Sequence, residues 1–328
     1  MKVLLTGASG FVGSHILDAL CARGIDTAVL LRPTSDQRFL SVHLPKLKIH
    51  NGSITEPASL AGALCGITRI IHCAGCTRAR QNSDFDAINH LGTRNLVEAA
   101  NAAGSIERFV HISSLAVSGP ATPARPARED DPPRPLSAYG KSKLAAETVV
   151  RAQCRSPFTI IRPPAVYGPR DYAFLPMFTT VQRHICPRPS RTQALSLVFV
   201  RDLAAAVVAC LEQPAAAGRT YFAAGEETIT ARGLACVIAR RMGCWTVPLP
   251  LPPAILWPVC FAEEVFSRLT GRATLLNLQK FAELRAPGWV CDSSRLRQEV
   301  GYTCRTTIEQ GVTETLTWYR DQGWLPRN

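Results

Sequence analysis

Two side chains near the middle of the chain have the types and spacing to move a proton. Tyr139 and Lys143 stand four apart in Tyr139-Gly140-Lys141-Ser142-Lys143, with Ser113-Ser114 upstream. On a helix that spacing puts phenol and ammonium on one face. A free phenol titrates near ~10 and is a poor acid–base catalyst at neutral pH, whereas an adjacent ammonium favours the phenolate. A serine hydroxyl at the end of a parallel strand points into the crevice where ligands bind and can hydrogen-bond a substrate oxygen. Taken alone, Tyr139 and Lys143 read equally well as polar residues of an amphipathic helix.

A second motif changes that balance. Thr6-Gly7-Ala8-Ser9-Gly10-Phe11-Val12-Gly13 follows the apolar run Lys2 to Thr6 and opens a segment of helical spacing (Ile16, Leu17, Ala19, Leu20). Gly7, Gly10 and Gly13 suit a tight turn that brings backbone N–H groups and a helix N-terminus to a pyrophosphate. The spacing is GxxGxxG, one residue wider at the first gap than GxGxxG. A dinucleotide site and an acid–base pair in one polypeptide together predict hydride transfer.

The elements that must position these residues alternate. Strands are expected at 2–6, 26–32, 47–51, 69–73, 108–113 and 158–162, and helices at 11–23, 57–65, 84–103 and 136–155. This is the pattern of an α/β Rossmann-type doubly wound parallel sheet with a smaller C-terminal substrate lobe. The core is expected over 1–165 and the substrate lobe mainly over 166–328, with 196–224 returning to the core sheet as a helix (Val200 to Glu212) and a last strand (Thr220 to Ala224). Ser118 to Pro135, rich in proline and charge, is an irregular segment that either caps the substrate pocket or is a solvated connection.

Composition narrows the class. The chain has 328 residues, 46% hydrophobic, enough for a large core. Its N-terminus enters a strand directly and no run of about twenty apolar residues lacks charge, so neither a signal peptide nor a membrane span is expected. The twelve cysteines are scattered, many in apolar runs, which fits free thiols and a reducing cytosol. Cys73-Ala74-Gly75-Cys76 has CxxC spacing without a second pair, so no metal is expected. Net charge is +12, from 37 basic and 25 acidic residues. The arginines are dispersed, which argues against a nucleic-acid partner, and Arg23, Arg32 and Arg38 are expected near cofactor phosphate. The segment 247–261 (VPLPLPPAILWPVCF) is apolar and carries a tryptophan, so it is read as a buried strand and helix of the substrate lobe or as a peripheral membrane contact.

At the end of the second strand, Arg32 with Thr34 and Ser35 favours NADP(H), because a guanidinium pairs with a 2′-phosphate that an acidic residue would repel. NAD(H) remains the alternative, with Arg32 stacked on adenine.

Six ordered segments, TGASGFVGSH (6–15), IIHCAG (70–75), NHLGTRNLVEAA (89–100), HISSLAVSG (111–119), YGKSK (139–143) and IRPPAVYGPRD (161–171), resemble the extended short-chain dehydrogenase/reductase superfamily. The resemblance implies a catalytic set of Ser114, Tyr139 and Lys143, Ser114 being preferred to Ser113 by its offset from Val117 and Gly119. It implies cofactor contacts at Ser9, Phe11, Val12, Ser53, Ile54, Cys73, Ala74, Gly75, Asn89, Ile112, Pro163, Ala165 and Val166. Ser53 stands where the family usually has an acidic residue, which weakens the adenine contact. Substrate contacts are implied at Cys76, Thr77, Ala116, Pro164 and Tyr172, together with Ser114 and Tyr139. A homodimer through the helices at 84–103 and 136–155 is usual for relatives.

Departures from the family pattern guide the substrate class. Sugar-nucleotide enzymes carry asparagine three residues after the sixth-strand arginine and a tyrosine before the glycine that follows strand five; this chain has Ala165 and Ser118. Both changes, with the apolar 249–261 stretch, resemble the 3β-hydroxysteroid dehydrogenase and sterol-4-carboxylate dehydrogenase branch. The expected substrate is a largely apolar secondary alcohol or ketone: a sterol-like 3β-hydroxy compound, a 4-carboxysterol that loses carbon dioxide, or a long-chain β-keto acid. The alternatives are a nucleoside-diphosphate-sugar epimerase or dehydratase and a nonenzymatic cofactor sensor.

Overall fold

A computed structural model describes residues 1–189, 193–270 and 278–326. Its centre is a seven-stranded parallel sheet built from apolar runs buried on both faces, as a doubly covered parallel sheet requires. In chain order the first half contributes β1 (Lys2–Thr6), α1 (Phe11–Ala22), β2 (Asp26–Leu31), β3 (Lys48–Asn51), α2 (Leu60–Ala63), β4 (Arg69–His72), α3 (Asn82–Phe85), α4 (Gly92–Ala103), β5 (Arg108–Ile112), α5 (Ala138–Gln153) and β6 (Phe158–Arg162). The second half contributes β7 (Ala165–Tyr167), α6 (Leu175–Gln182), β8 (Ile185–Pro189), β9 (Ala194–Phe199), α7 (Val200–Glu212), β10 (Arg219–Phe222), β11 (Thr228–Thr230), α8 (Ala231–Met242), β12 (Val247–Leu251), α9 (Pro253–Thr270), α10 (Leu278–Arg285), β13 (Gly288–Trp289), α11 (Ser294–Val300) and α12 (Ile308–Asp321).

The strand order β10-β6-β5-β4-β1-β2-β3 reverses direction between β1 and β4, which opens a crevice at their carboxyl ends. On one face α1 and α7 cover the sheet through Ile16, Leu20, Leu203 and Val207; on the other, α4 and α5 do so through Leu96, Val97, Val149 and Val150. The expected 84–103 helix is one rod with a defect: α3 passes through a π-helical stretch at Asp86–Leu91 into α4. The 57–65 helix is reduced to a 3-10 turn at Pro57–Ser59 followed by α2, because Pro57 and Gly62 both weaken it.

The lobe assignment changes in two places. Residues 194–199 form β9, the centre of a second sheet with β7, β11 and β13, so of the 196–224 segment α7 and β10 join the core layers while β9 reaches the core cluster through Val198. Conversely α11 and the turn after it come back from the second lobe, since Leu296, Val300 and Cys304 pack in the same cluster as α1 and α7. The second lobe has its own core, in which Phe178, Leu197, Ile238, Leu316 and Tyr319 meet.

Candidate functional site

The glycine turn closes by contacts that no side chain could replace. Gly7 has φ +76°, and a Cβ there would lie 2.6 Å from the Ala74 nitrogen; one on Gly13 would lie 2.0 Å from the Gly7 carbonyl oxygen. These two glycines let β1, α1 and the end of β4 touch through backbone. Gly10 differs: its added Cβ would meet only the Gly7 oxygen, at 3.3 Å, so its outer side is open. No side chain caps the N-terminus of α1, so its leading N–H groups are available to a phosphate. This cradle fits a dinucleotide pyrophosphate. Thr6 ties it to β4, accepting from Ala74 N (3.1 Å) and bonding His72 Nδ1 (2.8 Å).

The catalytic helix is set by three local features. Ser137 caps α5, its Oγ accepting from Gly140 N at 3.2 Å. Gly140 allows contact with the turn after β5, since a Cβ there would lie 2.7 Å from the Ala116 carbonyl oxygen. Ser114 opens that turn, its Oγ accepting from Ala116 N at 3.1 Å, and is hydrogen-bonded to the Tyr139 phenol. The fold thus brings Ser114 and Tyr139 together.

Lys143 is buried on the next turn and donates from Nζ to the Ile112 carbonyl at 2.5 Å. Burial pulls its ammonium down to about 8, with Cys73 and Glu147 opposing. Burial likewise pushes the Tyr139 phenol up to about 12, with the Ser114 bond opposing. Lys143 is not among the groups that move the phenol here; burial, the larger influence, outweighs the Ser114 bond and disfavours the phenolate.

Asn89, on the π-helical stretch, is the hub between β4 and α5. Its amide donates to Cys76 O (3.0 Å) and Ser142 Oγ (2.9 Å) while its carbonyl oxygen accepts from Cys76 N (2.7 Å). Thr93 bonds both the Asn89 carbonyl and His72 Nε2, continuing the chain to Thr6. Beneath lie His72 and His111, rings 5.3 Å apart; burial, then Lys143, hold His72 down to about 3 and His111 well below its ordinary range.

The remaining expected residues divide by what they can offer. Ser9, Phe11 and Val12 line the glycine turn, partly buried, and Gly75 and Thr77 are exposed on the loop after β4. The Ile112 and Val166 side chains pack into the core, Pro163 and Pro164 are buried, and the Pro163 carbonyl is taken by Leu115 N (2.8 Å), which leaves backbone as their main offering. Ala165 is exposed at the start of β7. Ser53 and Ile54 are turned inward: the Ser53 hydroxyl bonds Thr55 (2.8 Å) and Ile54 sits where a Gly92 side chain would be. Arg32 is exposed beyond β2, and the Ser35 amide bonds its carbonyl (2.9 Å). Arg23 does not belong to a phosphate group: it caps the opposite end of α1 and pairs with Glu212 at 2.5 Å. Arg38 pairs with Asp36 (2.6 Å) and donates to the Tyr172 hydroxyl (3.0 Å). Tyr172 also stacks one face on Trp324, rings 4.0 Å apart, and remains 48% exposed. The Cys76 thiol bonds the Arg78 carbonyl, all twelve cysteines are free thiols, and no metal-holding group occurs among the described residues.

Two features were not anticipated from sequence. A cavity of about 390 Å³ opens where the Ser118–Pro135 segment meets α10, lined by Pro120, Leu136, Phe281, Ala282, Arg285, Ala286 and Pro287. Leu136 precedes Tyr139 by three residues, and the Glu283 carboxylate on the same helix lies close enough to oppose ionisation of the phenol. Nothing local ties residue 281 to residue 136. The second feature is a buried ion pair under the site: Arg162 reaches Glu147 through two bonds (2.8 and 2.7 Å), and Ser113 donates to the same carboxylate (2.5 Å). Ser113 is thereby committed to structure, which leaves Ser114 facing Tyr139.

Comparison with known proteins agrees with this geometry. Residues 3–224 match the family described as NAD dependent epimerase/dehydratase. Ceramide reductase of Caulobacter vibrioides is 32% identical over 99% of this chain and 96% of its own length. UDP-glucose 4-epimerase of Vibrio cholerae is 29% identical (96% and 94% covered), and sterol demethylase protein B of Methylococcus capsulatus is 26% identical (99% and 100% covered). The solved structure of gox2253 superposes with a TM-score of 0.82 at 28% identity, covering 98% of both chains. A match over more than half the length, on a sheet with this strand order and a glycine turn at its switch point, leaves one conclusion: the chain belongs to the NAD dependent epimerase/dehydratase family of extended short-chain dehydrogenase/reductase fold.

Proposed function

We propose that the protein is an NAD(P)-dependent oxidoreductase acting at a secondary alcohol or ketone of a largely apolar, lipid-like substrate. The observation that carries this is the largely apolar cavity at the entry to the catalytic helix: Pro120, Leu136, Phe281, Ala282, Ala286 and Pro287 line it, with Arg285 as its one charged side chain. Ser114 orients the substrate oxygen, and Tyr139 donates a proton to it as the ketone is reduced. Lys143, held by the Ile112 carbonyl, fixes the position from which an ammonium can reach a ribose hydroxyl. The cofactor, when bound, supplies or accepts the hydride. Arg32, exposed beyond β2, supports NADP(H) over NAD(H). Relatives named for ceramide reduction and sterol demethylation act on lipids, in keeping with a sterol-like 3β-hydroxy compound or a long-chain β-keto compound as substrate.

A nucleotide-sugar epimerase is the second reading, and the Vibrio relative favours it. Ala165 weighs against it, because an exposed alanine cannot hydrogen-bond a diphosphate through its side chain. Cofactor-absorbance assays with NADPH and NADH decide between them. Net oxidation with long-chain or sterol-like ketones, faster with NADPH, is the expected result. Interconversion of UDP-sugars with no net cofactor change, and no turnover of apolar ketones, overturns the proposal.

A further inference from the structure

The sequence segment that reads either as buried or as membrane-facing turns its apolar side chains outward. Trp245 is 67% exposed, and Val247 and Leu249 follow it on β12, which pairs in parallel with β8 in an isolated two-stranded ribbon. His184 stacks on the Trp245 indole (4.2 Å, 13°) and bonds its carbonyl (2.9 Å), so this tryptophan is held outward by a built contact. The chain then enters α9, where Trp257 (48% exposed) stacks on Phe261 (47%) with rings 5.5 Å apart, while Cys260 alone turns inward among residues 257–262. Residues 242–262 contain no charged side chain.

Charge says what covers this face. The described segments that build it, 172–189 and 228–262, hold five arginines (183, 188, 232, 240, 241) and no aspartate or glutamate, the next carboxylates being Glu263 and Glu264 further along α9. Arg240 and Arg241 share a single external carboxylate, Glu309 (3.4 and 2.7 Å), so the excess is not cancelled there. A two-fold interface with a second copy would set this arginine-rich surface against itself. An anionic bilayer supplies the opposite charge, and tryptophan and arginine beside exposed aliphatic groups are the composition of a surface that lies in a membrane interface. No helix among the described residues is long and apolar enough to cross a membrane, so the contact is peripheral.

We infer that β12 and the first turns of α9 form a docking face for an anionic lipid surface. Helix α10, which lines the apolar cavity, packs against α9, so the cavity and the docking face share a wall. The inference goes beyond the proposed reaction and is read without turnover: failure of lipid binding leaves the oxidoreductase reading standing, and failure of catalysis leaves the docking face standing.

The test is co-sedimentation of the full chain with phosphatidylcholine vesicles, with and without phosphatidylglycerol. Binding is expected only to the anionic vesicles, falling as salt rises. Arg183→Ala and Arg232→Ala should each weaken partitioning by roughly fivefold, the equivalent of about 1 kcal/mol per basic residue at an anionic surface. Trp257→Ser with Phe261→Ser should weaken it by more than tenfold while thermal unfolding stays within a few degrees of the parent. Should the double variant fail to fold, quenching of the native chain's tryptophan fluorescence by brominated lipid reads the same contact. Three outcomes overturn the inference: no binding to anionic vesicles, binding and quenching indifferent to these residues, or a solution dimer that the double variant abolishes.

Discussion

Two cavities lie at opposite ends of α5, nearly equal in volume and opposed in chemistry. The one at its entry, about 390 Å³, is walled by proline, leucine, phenylalanine and alanine with a single arginine, Arg285. The one along its second half, about 380 Å³, is walled by Glu129, Asp130, Glu147, Arg151, Arg162, Arg219 and Arg295 among others. In the charged cavity Glu147 holds Arg162, and Arg295 holds Asp130 and sits 3.8 Å from Glu129, whose other carboxylate oxygen accepts from the edge-strand amide of Phe222. Its groups answer one another. In the apolar cavity the side chains leave surface uncovered beside a phenol that can move a proton. A cavity whose charges pair internally is a structural joint; one that leaves apolar surface beside a reactive group calls for a ligand.

Substitutions can break this contrast in descending order of effect. Tyr139→Phe should lower turnover by about 10²–10⁴-fold with cofactor binding retained, as expected for loss of a general acid; near-normal steady-state turnover would refute the role. Glu147→Ala should leave Arg162 buried and unpaired and cost about 3–5 kcal/mol in denaturant unfolding. The joint replacement Glu147→Met with Arg162→Met should cost far less than the single change, which distinguishes a pair retained for geometry from one that stabilises on balance. On the apolar side Ala282→Phe, at an exposed position of the cavity wall, should raise KM for a long-chain ketone about tenfold and leave a short ketone little affected, with stability unchanged; equal losses for both would show that the cavity does not bind the chain.

The smallest effect concerns pH. His72 titrates at about 3 when folded against an ordinary value near 6.5, because burial disfavours its charged form. Between those values the unfolded chain binds more protons, so stability is lost as pH falls from about 6.5 toward 3 and is flat above. His111, shifted in the same direction, has no hydrogen-bond partner at either ring nitrogen in the structure. His111→Leu should therefore raise stability by about 1 kcal/mol near neutral pH and flatten the acid limb of an unfolding-versus-pH curve; an unchanged limb would show that His111 does not titrate on unfolding.

Legibility in the sequence followed the length of the signal. The strands β1, β2, β4, β5 and β6 carry apolar runs, and α1, α5 and α7 have helical periodicity, so their expected bounds lie within a residue or two of those observed; β3 (KIHN) is legible only by its place in the alternation. β8 (ICPRP) and β12 (VPLPL) could not be read as paired strands, since proline normally argues against a ladder; an isolated ribbon tolerates it because each strand has a free edge. The π-helical stretch at Asp86–Leu91 changes no residue type and leaves no periodicity to detect. At the site, Ser114, Tyr139 and Lys143 were legible because motif and spacing carry them. The direction in which burial moves Tyr139 was not, because desolvation is a property of the whole fold. Phe281 meets the cavity that Leu136 lines from nearly one hundred and fifty residues away, a tertiary arrangement no local pattern encodes.

The chain passes from β6 of the core sheet to β7 of the second through Pro163 and Pro164 alone, and Leu115, next to Ser114, is bonded to the first of them. Both prolines fix their backbone torsion, so this passage is a stiff strut rather than a pivot. The Ser114 hydroxyl, to which the proposed reaction gives the substrate oxygen, is braced against it, whereas the cavity wall on α10 hangs from another part of the chain. A lineage or an engineer can recut that wall to admit a different tail while the proton-transfer machinery keeps its alignment.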